Sequence, residues 1–172
     1  MSAHIGVRVV FCHGLESGPV GSKSSALLAA GYGVLSPDCR GLRLAARVER
    51  SLPAVRAFDP HVIVGSSYGG PVALLLAEQL RDASLRGVVL CAPALGRQEP
   101  PLDARPLVAS HPTRIIHGVR DDVVPVDVSR AFVRDSAATL LEVDDDHGLG
   151  ASLDTILAEV AAFAMAGTGA RS

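Results

Sequence analysis

The stretch that decides the fold is PHVIVGSSYGGPVALLLAEQL, residues 60–80. Its apolar first part predicts a buried strand and its Ala- and Leu-rich second part predicts a helix, so residues 65–69 form the turn between them. The turn has the pattern Gly-x-Ser-x-Gly, with Ser67 in the middle. Such a sharp turn requires glycine on both flanks because a Cβ there would collide with the neighbouring strand or helix. The pattern predicts a nucleophile elbow that raises the Ser67 hydroxyl above the carboxyl end of a sheet, at the positive end of the following helix.

Two other interpretations of this turn stay open. Gly-x-Ser-x-Gly also occurs by chance in Gly- and Ser-rich loops, and a Gly-rich turn from strand to helix can bind a phosphate. The position of the pattern between a predicted strand and a predicted helix favours the elbow, because the mechanism of an elbow requires that context.

The composition predicts a single α/β domain over residues 1–172, with a flexible tail at 166–172. The chain has 172 residues, of which 48% are hydrophobic and only 3% aromatic, with no Trp. One domain of this length can bury a substantial core, which must consist of Val, Leu, Ala and Ile. Such a core suits parallel strands that are covered by helices on both faces.

Charge and cysteine usage exclude several classes of protein. A net charge of −2 provides no basic surface for a nucleic-acid backbone, so nucleic acid is not an expected partner. The three cysteines, Cys12, Cys39 and Cys91, form no disulfide framework and have no zinc-site spacing, and we expect packed, reduced thiols. The start of the chain lacks the pattern of a signal peptide, and no apolar run reaches the length of about 20 residues that a membrane span needs. These features predict a cytoplasmic protein.

Strand-like and helical runs alternate along the whole chain. The predicted strands are residues 6–12, 31–36, 61–66, 86–92, 113–118 and 139–143. The predicted helices are residues 21–31, 42–57, 70–81, 127–136 and 151–165. Right-handed crossovers then give a mostly parallel sheet of about six strands, with a ligand site outside the carboxyl ends of the strands. The Pro-rich stretch at 93–107 is either a rim of that site or a surface connection.

A serine nucleophile needs a general base, and the base needs a carboxylate that fixes its tautomer. In this kind of fold the acid and then the histidine follow the serine. His147, in DDDHGL, is the histidine that follows the acid segment HGVRDDVVP, and both segments come after predicted strands. Within that segment the pattern H-G-x-x-D-x-x-V-P favours Asp121, and Asp122 is expected to be a turn residue or a helix cap. The acidic residues 144–146 are interpreted as solvated charges.

A second segment, FCHGLESGP at residues 11–19, predicts the other half of an oxyanion hole. Gly14 lets the backbone turn so that the Leu15 amide points inward, and the Tyr68 amide, next to the serine, supplies the second donor. The other interpretation is a glycine-rich turn without a role in chemistry. No cluster of residues has the spacing of metal ligands and the predicted triad needs no metal, so we expect neither metal nor cofactor.

The segments HGLESGP, GSSYGG, HGVRDDVVP and DDDHGL, in this order, resemble the four site segments of the α/β-hydrolase superfamily. The resemblance extends from about residue 7 to residue 165. It implies the α/β-hydrolase fold and cleavage of esters or thioesters through an acyl-enzyme. It also implies roles for five residues, which are Ser67 as nucleophile, His147 as base, Asp121 as acid, and Leu15 and Tyr68 as amide donors. Because the first strand leads directly to HGL and the stretch before the acid is short, the chain resembles a small member without a lid or cap domain.

The substrate is predicted only in outline. We expect a mainly apolar pocket for an acyl or alkyl group, lined by His13, Gly14, Leu15, Glu16, Tyr68, Leu95, Val123 and Leu149. Four cations are either a positive rim for an anionic leaving group such as a CoA-like thioester or ordinary surface charges; they are Lys23, Arg40, Arg97 and Arg105. The predicted activity is hydrolysis of carboxylic esters. The alternatives are an acyl thioesterase, lyase or perhydrolase chemistry with the same residues, and a non-catalytic binding protein of the same fold.

Overall fold

The computed structural model describes residues 6–80, 84–96 and 106–166. In this part of the chain the strands are β1 (Arg8–Cys12), β2 (Gly33–Leu35), β3 (Val62–Ser66), β4 (Gly87–Cys91), β5 (Thr113–Gly118) and β6 (Thr139–Val143). The helices are α1 (Ser22–Ala29), α2 (Leu44–Phe58), α3 (Gly69–Glu78), α4 (Asp127–Arg134) and α5 (Leu153–Met165), and a 3₁₀ turn at Gly150–Ser152 precedes α5. Each strand and each helix predicted from the sequence is present, with ends that differ by a few residues.

The six strands form one sheet in the order β2-β1-β3-β4-β5-β6. Every neighbouring pair in it is parallel. The prediction of a mostly parallel sheet of about six strands is therefore confirmed. Between β4 and β5 the described residues, 92–96 and 106–112, contain neither a helix nor a strand, so they form no cap domain.

Two apolar layers hold the helices against the sheet. Along each strand, alternate side chains point to opposite faces, so Val10 and Ile63 pack with α2 and α3, whereas Val9 and Val62 pack on the other side with α1 and α5. Val128 and Phe132 of α4 pack against the first of these layers. The Val-, Leu-, Ala- and Ile-rich composition thus fills both faces of the sheet, as parallel strands require.

The parallel arrangement brings four loops to one edge of the sheet. The segments after β1, β3, β5 and β6 all leave the sheet at its carboxyl edge, where α/β sheets bind their ligands. These segments contain the four motifs of the sequence, so the fold collects residues that are far apart in the chain.

The three cysteines are free thiols buried in the core. Burial raises the pKa of Cys12 and of Cys91 to about 12, so these two thiols stay protonated. The expectation of packed, unpaired thiols is confirmed. Within residues 6–80, 84–96 and 106–166, no helix has both the length and the apolar character needed to cross a membrane.

Candidate active site

Ser67 occupies a strained turn between β3 and α3. Its φ is +52°, in the left-handed region that residues other than glycine rarely adopt. Backbone hydrogen bonds hold it there, because its amide donates to the Cys91 carbonyl at 2.9 Å and its own carbonyl accepts from the Gly70 and Ala94 amides at 2.9 and 3.0 Å. The turn therefore projects the Ser67 side chain away from the sheet, as an elbow does.

The two flanking glycines of the turn have no room for a side chain. A Cβ on Gly69 would lie 2.0 Å from the Cys12 carbonyl oxygen of β1, and a Cβ on Gly65 would lie 2.5 Å from the Gly69 oxygen and 2.8 Å from the Ala73 Cβ. The close approach of α3 to β1 and β3 thus requires glycine at both positions. This is the collision that the Gly-x-Ser-x-Gly pattern predicts.

Ser67, His147 and Asp121 form a continuous chain of hydrogen bonds. The Ser67 Oγ lies 3.0 Å from His147 Nε2, and the other ring nitrogen of His147, Nδ1, lies 2.7 Å from Asp121 Oδ2. A carboxylate can only accept, so Nδ1 carries the proton and Nε2 is left to accept from the serine hydroxyl. The arrangement gives the hydroxyl a base within direct reach, and the base a carboxylate that orients it.

Asp121 is held as a buried carboxylate. Its side chain is 0% exposed, and its second oxygen, Oδ1, accepts from the amides of Val123 and Val124 at 2.9 and 2.8 Å. Burial acts to raise the pKa of Asp121, but the hydrogen bonds from Val124, His147 and Val123 outweigh it and hold the pKa below its ordinary value. Asp122 is exposed in the same turn and does not cap α4, whose N-cap is Val126.

The loop that carries His147 is fixed from below by Asp145, which corrects one expectation. Asp144 and Asp146 are exposed, but Asp145 is only 5% exposed and is not a solvated charge. One of its oxygens accepts from the Asp146 amide and the other from the Ser152 hydroxyl, both at 2.8 Å. Burial acts to raise its pKa, but hydrogen bonds from Asp146, Ser152 and Ala151 bring the pKa below its ordinary value. Because Ser152 lies just before α5, the Asp145 carboxylate ties the loop to that helix.

The loop after β1 lies directly against the nucleophile. A Cβ on Gly14 would stand 3.6 Å from the Ser67 Cβ, and Leu15 and Tyr68 both line the same cavity as Ser67. Within the described residues no group accepts a hydrogen bond from the Leu15 amide. The Tyr68 ring packs in the core and its hydroxyl accepts from the Leu44 amide at 2.9 Å, so this residue faces the cavity mainly through its backbone.

His13 was expected in the pocket, but the structure places its ring in the protein interior. The side chain is 1% exposed, with Nδ1 donating to the Gly14 carbonyl at 2.8 Å and Nε2 accepting from the Cys39 amide at 2.9 Å. Burial lowers the pKa of His13, which keeps the imidazole neutral. The ring is therefore a brace between two loops and has no free nitrogen for a substrate.

Arg47 of α2 supports the same loop and was missed from the sequence. Its guanidinium is buried and donates to the His13 carbonyl at 2.8 Å, to the Gly14 carbonyl at 3.3 Å and to the Leu42 carbonyl at 2.9 Å. It also lies 4.9 Å from the centre of the Tyr68 ring. A signal was present, since the buried face of α2 includes Leu44, Arg47, Ser51 and Val55, at helical spacing.

His117 braces the acid loop. It is 0% exposed, and its Nε2 lies 2.8 Å from the Val124 carbonyl oxygen and 3.1 Å from Asp121 Oδ2. Its Nδ1 lies 2.7 Å from the Ser129 hydroxyl, which donates to it when Nε2 carries the proton. This residue begins the segment HGVRDDVVP, and the fold uses it to hold the carboxylate that His147 needs.

The cavity above Ser67 has a volume of about 620 Å³. Gly14, Glu16 and Val123 line the cavity as expected, together with Ser67 and His147. Leu95 and Leu149 do not. Leu95 lines a neighbouring apolar cavity against α4, and Leu149 is 0% exposed in the layer under α1 and α5. The backbone turns at Leu149, whose φ is +52°, and this directs the side chain into the core.

The structure describes two of the four cations, Lys23 and Arg40, and only Lys23 lines the cavity. The Lys23 ammonium donates to the Gly148 carbonyl at 2.6 Å. Arg40 is exposed and forms an ion pair with Asp38 at 2.6 Å. Arg97 and Arg105 lie outside the described residues. In the same part of the chain no three His, Cys, Asp or Glu side chains form a group that could hold a metal ion.

Comparisons with known proteins agree with this fold. A family model described as the alpha/beta hydrolase family matches residues 9–170. A solved structure from Xanthomonas campestris pv. campestris, described as a hydrolase of the alpha/beta superfamily, is 29% identical, with 92% of this chain and 95% of that chain covered and a TM-score of 0.72. No curated protein sequence matches the chain.

Two further solved structures are more distant in sequence. Est1E from Butyrivibrio proteoclasticus is 19% identical, with 93% of this chain and 87% of that chain covered and a TM-score of 0.74. The esterase domain of a Rhodothermus marinus protein is 15% identical, with 94% and 88% covered and a TM-score of 0.71. These identities are low, so the likeness to both shows the fold alone. With the family model matching nearly its whole length, the chain belongs to the alpha/beta hydrolase family.

Proposed function

We propose that the protein is a serine hydrolase that cleaves carboxylic esters through an acyl-enzyme on Ser67. The observation that carries this proposal is the chain of hydrogen bonds from Ser67 Oγ through His147 to Asp121, at 3.0 and 2.7 Å. One structural neighbour, from Rhodothermus marinus, is named an esterase domain, and this name supports the same chemistry. The cavity of about 620 Å³ beside Ser67 has room for a small ester.

In the first half of the proposed reaction, Ser67 Oγ attacks the ester carbonyl carbon while its proton passes to His147 Nε2. The new C–O bond pushes the carbonyl electron pair onto oxygen, and the amides of Leu15 and Tyr68 stabilise that oxyanion. When the carbonyl reforms, the bond to the alcohol breaks and His147 returns its proton to the leaving oxygen. Asp121 stays ionised and stabilises the imidazolium that exists between these two steps.

In the second half, water replaces the serine hydroxyl. His147 takes a proton from a water molecule, the water oxygen attacks the acyl carbon, and the tetrahedral intermediate collapses with expulsion of Ser67 Oγ. His147 protonates that oxygen, and the carboxylic acid leaves. The same steps cleave a thioester, so an acyl thioesterase uses the same residues and differs only in the leaving atom.

The test is hydrolysis of p-nitrophenyl esters, from acetyl to palmitoyl, by the wild type and by Ser67→Ala. We expect the variant to lose activity by at least about 10³-fold, because no nucleophile remains in reach of His147. Ser25→Ala is the matched control, since Ser25 is exposed on α1 and does not line the cavity. Equal activity of Ser67→Ala and the wild type would contradict the proposal. Activity on acyl thioesters alone would favour the thioesterase.

We also propose that the substrate is a small molecule, that no cofactor takes part, and that residues 1–172 act as one domain in the cytoplasm. The net charge of −2 supports the absence of a nucleic-acid partner. A nitrocellulose filter assay with duplex DNA and RNA checks that point, and saturable binding at physiological salt would contradict it.

A further inference from the structure

Lys23 lines the cavity that contains Ser67 and His147. Lys23 lies in the first turn of α1 and is only 8% exposed. Its Nζ donates to the carbonyl of Gly148, the residue after His147, at 2.6 Å. A cation is therefore placed beside the proposed base, at the place where a substrate binds.

The charge of this ammonium is poorly compensated. An ammonium group has three N–H donors, and the Gly148 carbonyl takes one of them. No carboxylate in the described residues forms an ion pair with Lys23. Burial of an ammonium that lacks a counter-charge is costly, and a cation in the first turn of a helix is further disfavoured by the helix dipole. An uncharged side chain would avoid both costs.

The other charged groups around the cavity do not supply the missing partner. Asp121 is engaged by His147 and by the amides of Val123 and Val124. Glu16 lines the cavity but is exposed to solvent, and it forms no ion pair with Lys23. The cavity thus presents N–H donors of a cation for which the described residues supply no counter-charge.

We propose that Lys23 binds an anionic group of the substrate, so that the enzyme prefers esters that carry a carboxylate close to the scissile bond. This inference rests on the proposed ester hydrolysis and specifies the substrate class. A carboxylate in the cavity accepts the two remaining N–H donors of Lys23 and neutralises the buried charge. The carboxylate is placed on either the acyl or the alcohol side, and the two sides are distinguished by the experiment.

The experiment uses two pairs of esters, each with one neutral and one anionic member of similar size. On the acyl side the pair is p-nitrophenyl hexanoate and mono-p-nitrophenyl adipate; on the alcohol side it is methyl 4-acetoxybenzoate and 4-acetoxybenzoate. For one of the two pairs, we compare kcat/KM for the anionic ester with kcat/KM for the neutral ester. We expect Lys23→Gln to lower this ratio by about ten- to a hundredfold relative to the wild type, which is the scale of a hydrogen bond to a charged group. The side that responds shows where the carboxylate belongs.

Lys23→Gln separates recognition from support, because glutamine removes the charge and keeps an N–H donor, on a side chain that is one bond shorter. If Lys23 merely holds the Gly148 carbonyl, both members of each pair lose activity equally and the ratio does not change, which overturns the proposal. Lys23→Arg, which keeps the charge, is expected to retain most of the preference. Arg40→Gln is the matched control, since Arg40 is exposed and paired with Asp38 outside the cavity, and it is expected to leave the ratio unchanged.

A binding measurement on Ser67→Ala keeps this inference separate from the catalytic proposal. Monomethyl adipate and methyl hexanoate form the acyl-side pair, and the two acetoxybenzoates form the other. By calorimetry we expect the anionic member of one pair to bind about ten- to a hundredfold more tightly, and the difference to disappear in Ser67→Ala/Lys23→Gln. Equal binding within both pairs overturns the inference, whereas inactivity of the wild type towards all neutral and anionic esters contradicts the proposed hydrolysis.

Discussion

The Nδ1 atom of His147 lies 2.7 Å from the Oδ2 atom of Asp121, although 26 residues separate the two in the chain. The loops after β5 and β6 bring them together, because these strands are parallel neighbours in register. Two backbone amides hold the second carboxylate oxygen, so the orientation of the carboxylate does not depend on His147. The position of the base is therefore set by a carboxylate that the acid loop has already fixed.

Replacement of this carboxylate by an amide is expected to stop catalysis without unfolding the protein. Asp121→Asn cannot accept from Nδ1–H with the same strength and favours the wrong tautomer of His147, and the expected loss in kcat is about 10⁴-fold. The measurement is ester hydrolysis at saturating substrate, with circular dichroism to confirm the fold. Asp122→Asn, in the same turn but exposed, is the matched control. A loss of similar size in both variants would assign the effect to the turn as a whole.

Gly69, two residues after the nucleophile Ser67, is expected to tolerate no side chain. In Gly69→Ala the new Cβ would lie 2.0 Å from the Cys12 carbonyl oxygen, so α3 must move away from β1. We expect the free energy of unfolding to fall by about 3 kcal/mol or more, at the upper end of overpacking effects. Urea denaturation measures it. A Cβ at Gly150 meets nothing within 4 Å, so Gly150→Ala serves as control, and similar stability of the two variants would contradict the predicted clash.

Loss of the guanidinium of Arg47 is expected to lower both stability and turnover. In Arg47→Met the His13 carbonyl loses its donor, whereas the Gly14 carbonyl keeps the one from the His13 ring, and each unpaired buried acceptor costs about 1–3 kcal/mol. The loop that carries the Leu15 amide then loses its support, so we expect kcat to fall more than KM rises. Steady-state kinetics and thermal denaturation test this, with Arg50→Met on the exposed side of the same helix as control. Unchanged kcat in a folded Arg47→Met protein would show that Arg47 has a structural role only.

The contribution of Asp145 to stability is expected to depend on pH. The pKa of this carboxyl is lower in the folded protein than its ordinary value of 3.8. The unfolded chain therefore binds its proton first as pH falls, so the stabilisation is present above pH 3.8 and is lost as pH decreases through the folded pKa.

Urea denaturation of Asp145→Asn tests this expectation at neutral pH and at pH values below 3.8. The variant is expected to be less stable than the wild type at neutral pH, with a difference that shrinks in acid. Asp144→Asn, at an exposed position of the same loop, is the control. A difference between Asp145→Asn and the wild type that does not change with pH would exclude a contribution from ionisation.

The fold was predictable because its signals are local. Apolar runs alternate with Ala- and Leu-rich helical runs along the chain, and each predicted strand and helix is present. The elbow was predictable for the same reason, since the glycines that permit the turn lie two residues before and two residues after Ser67. Ser67, Asp121 and His147 were predicted from their motifs, from the order of those motifs and from the resemblance to the family, and the structure brings these three side chains together.

The direction of individual side chains at the site was not predictable from local patterns. His13 and Leu149 both lie in site segments, but the His13 ring braces two loops and the Leu149 side chain fills the core. Arg47 was assigned only to a helix, and the tertiary structure turns it under the Gly14 loop. Asp145 was interpreted as solvated, yet it bonds to Ser152 inside the protein.

By itself the sequence determined the order of the elements, the sharp turn at Ser67 and the three residues of the candidate triad, because these follow from periodicity, from glycine sterics and from chain order. Only the tertiary structure decided that Lys23, which is 125 residues away from Gly148 in the chain, lies against the loop of the base. The physical reason is that burial and charge compensation depend on which distant segments pack together. That packing is a property of the assembled sheet and helices, and no single stretch of sequence contains it.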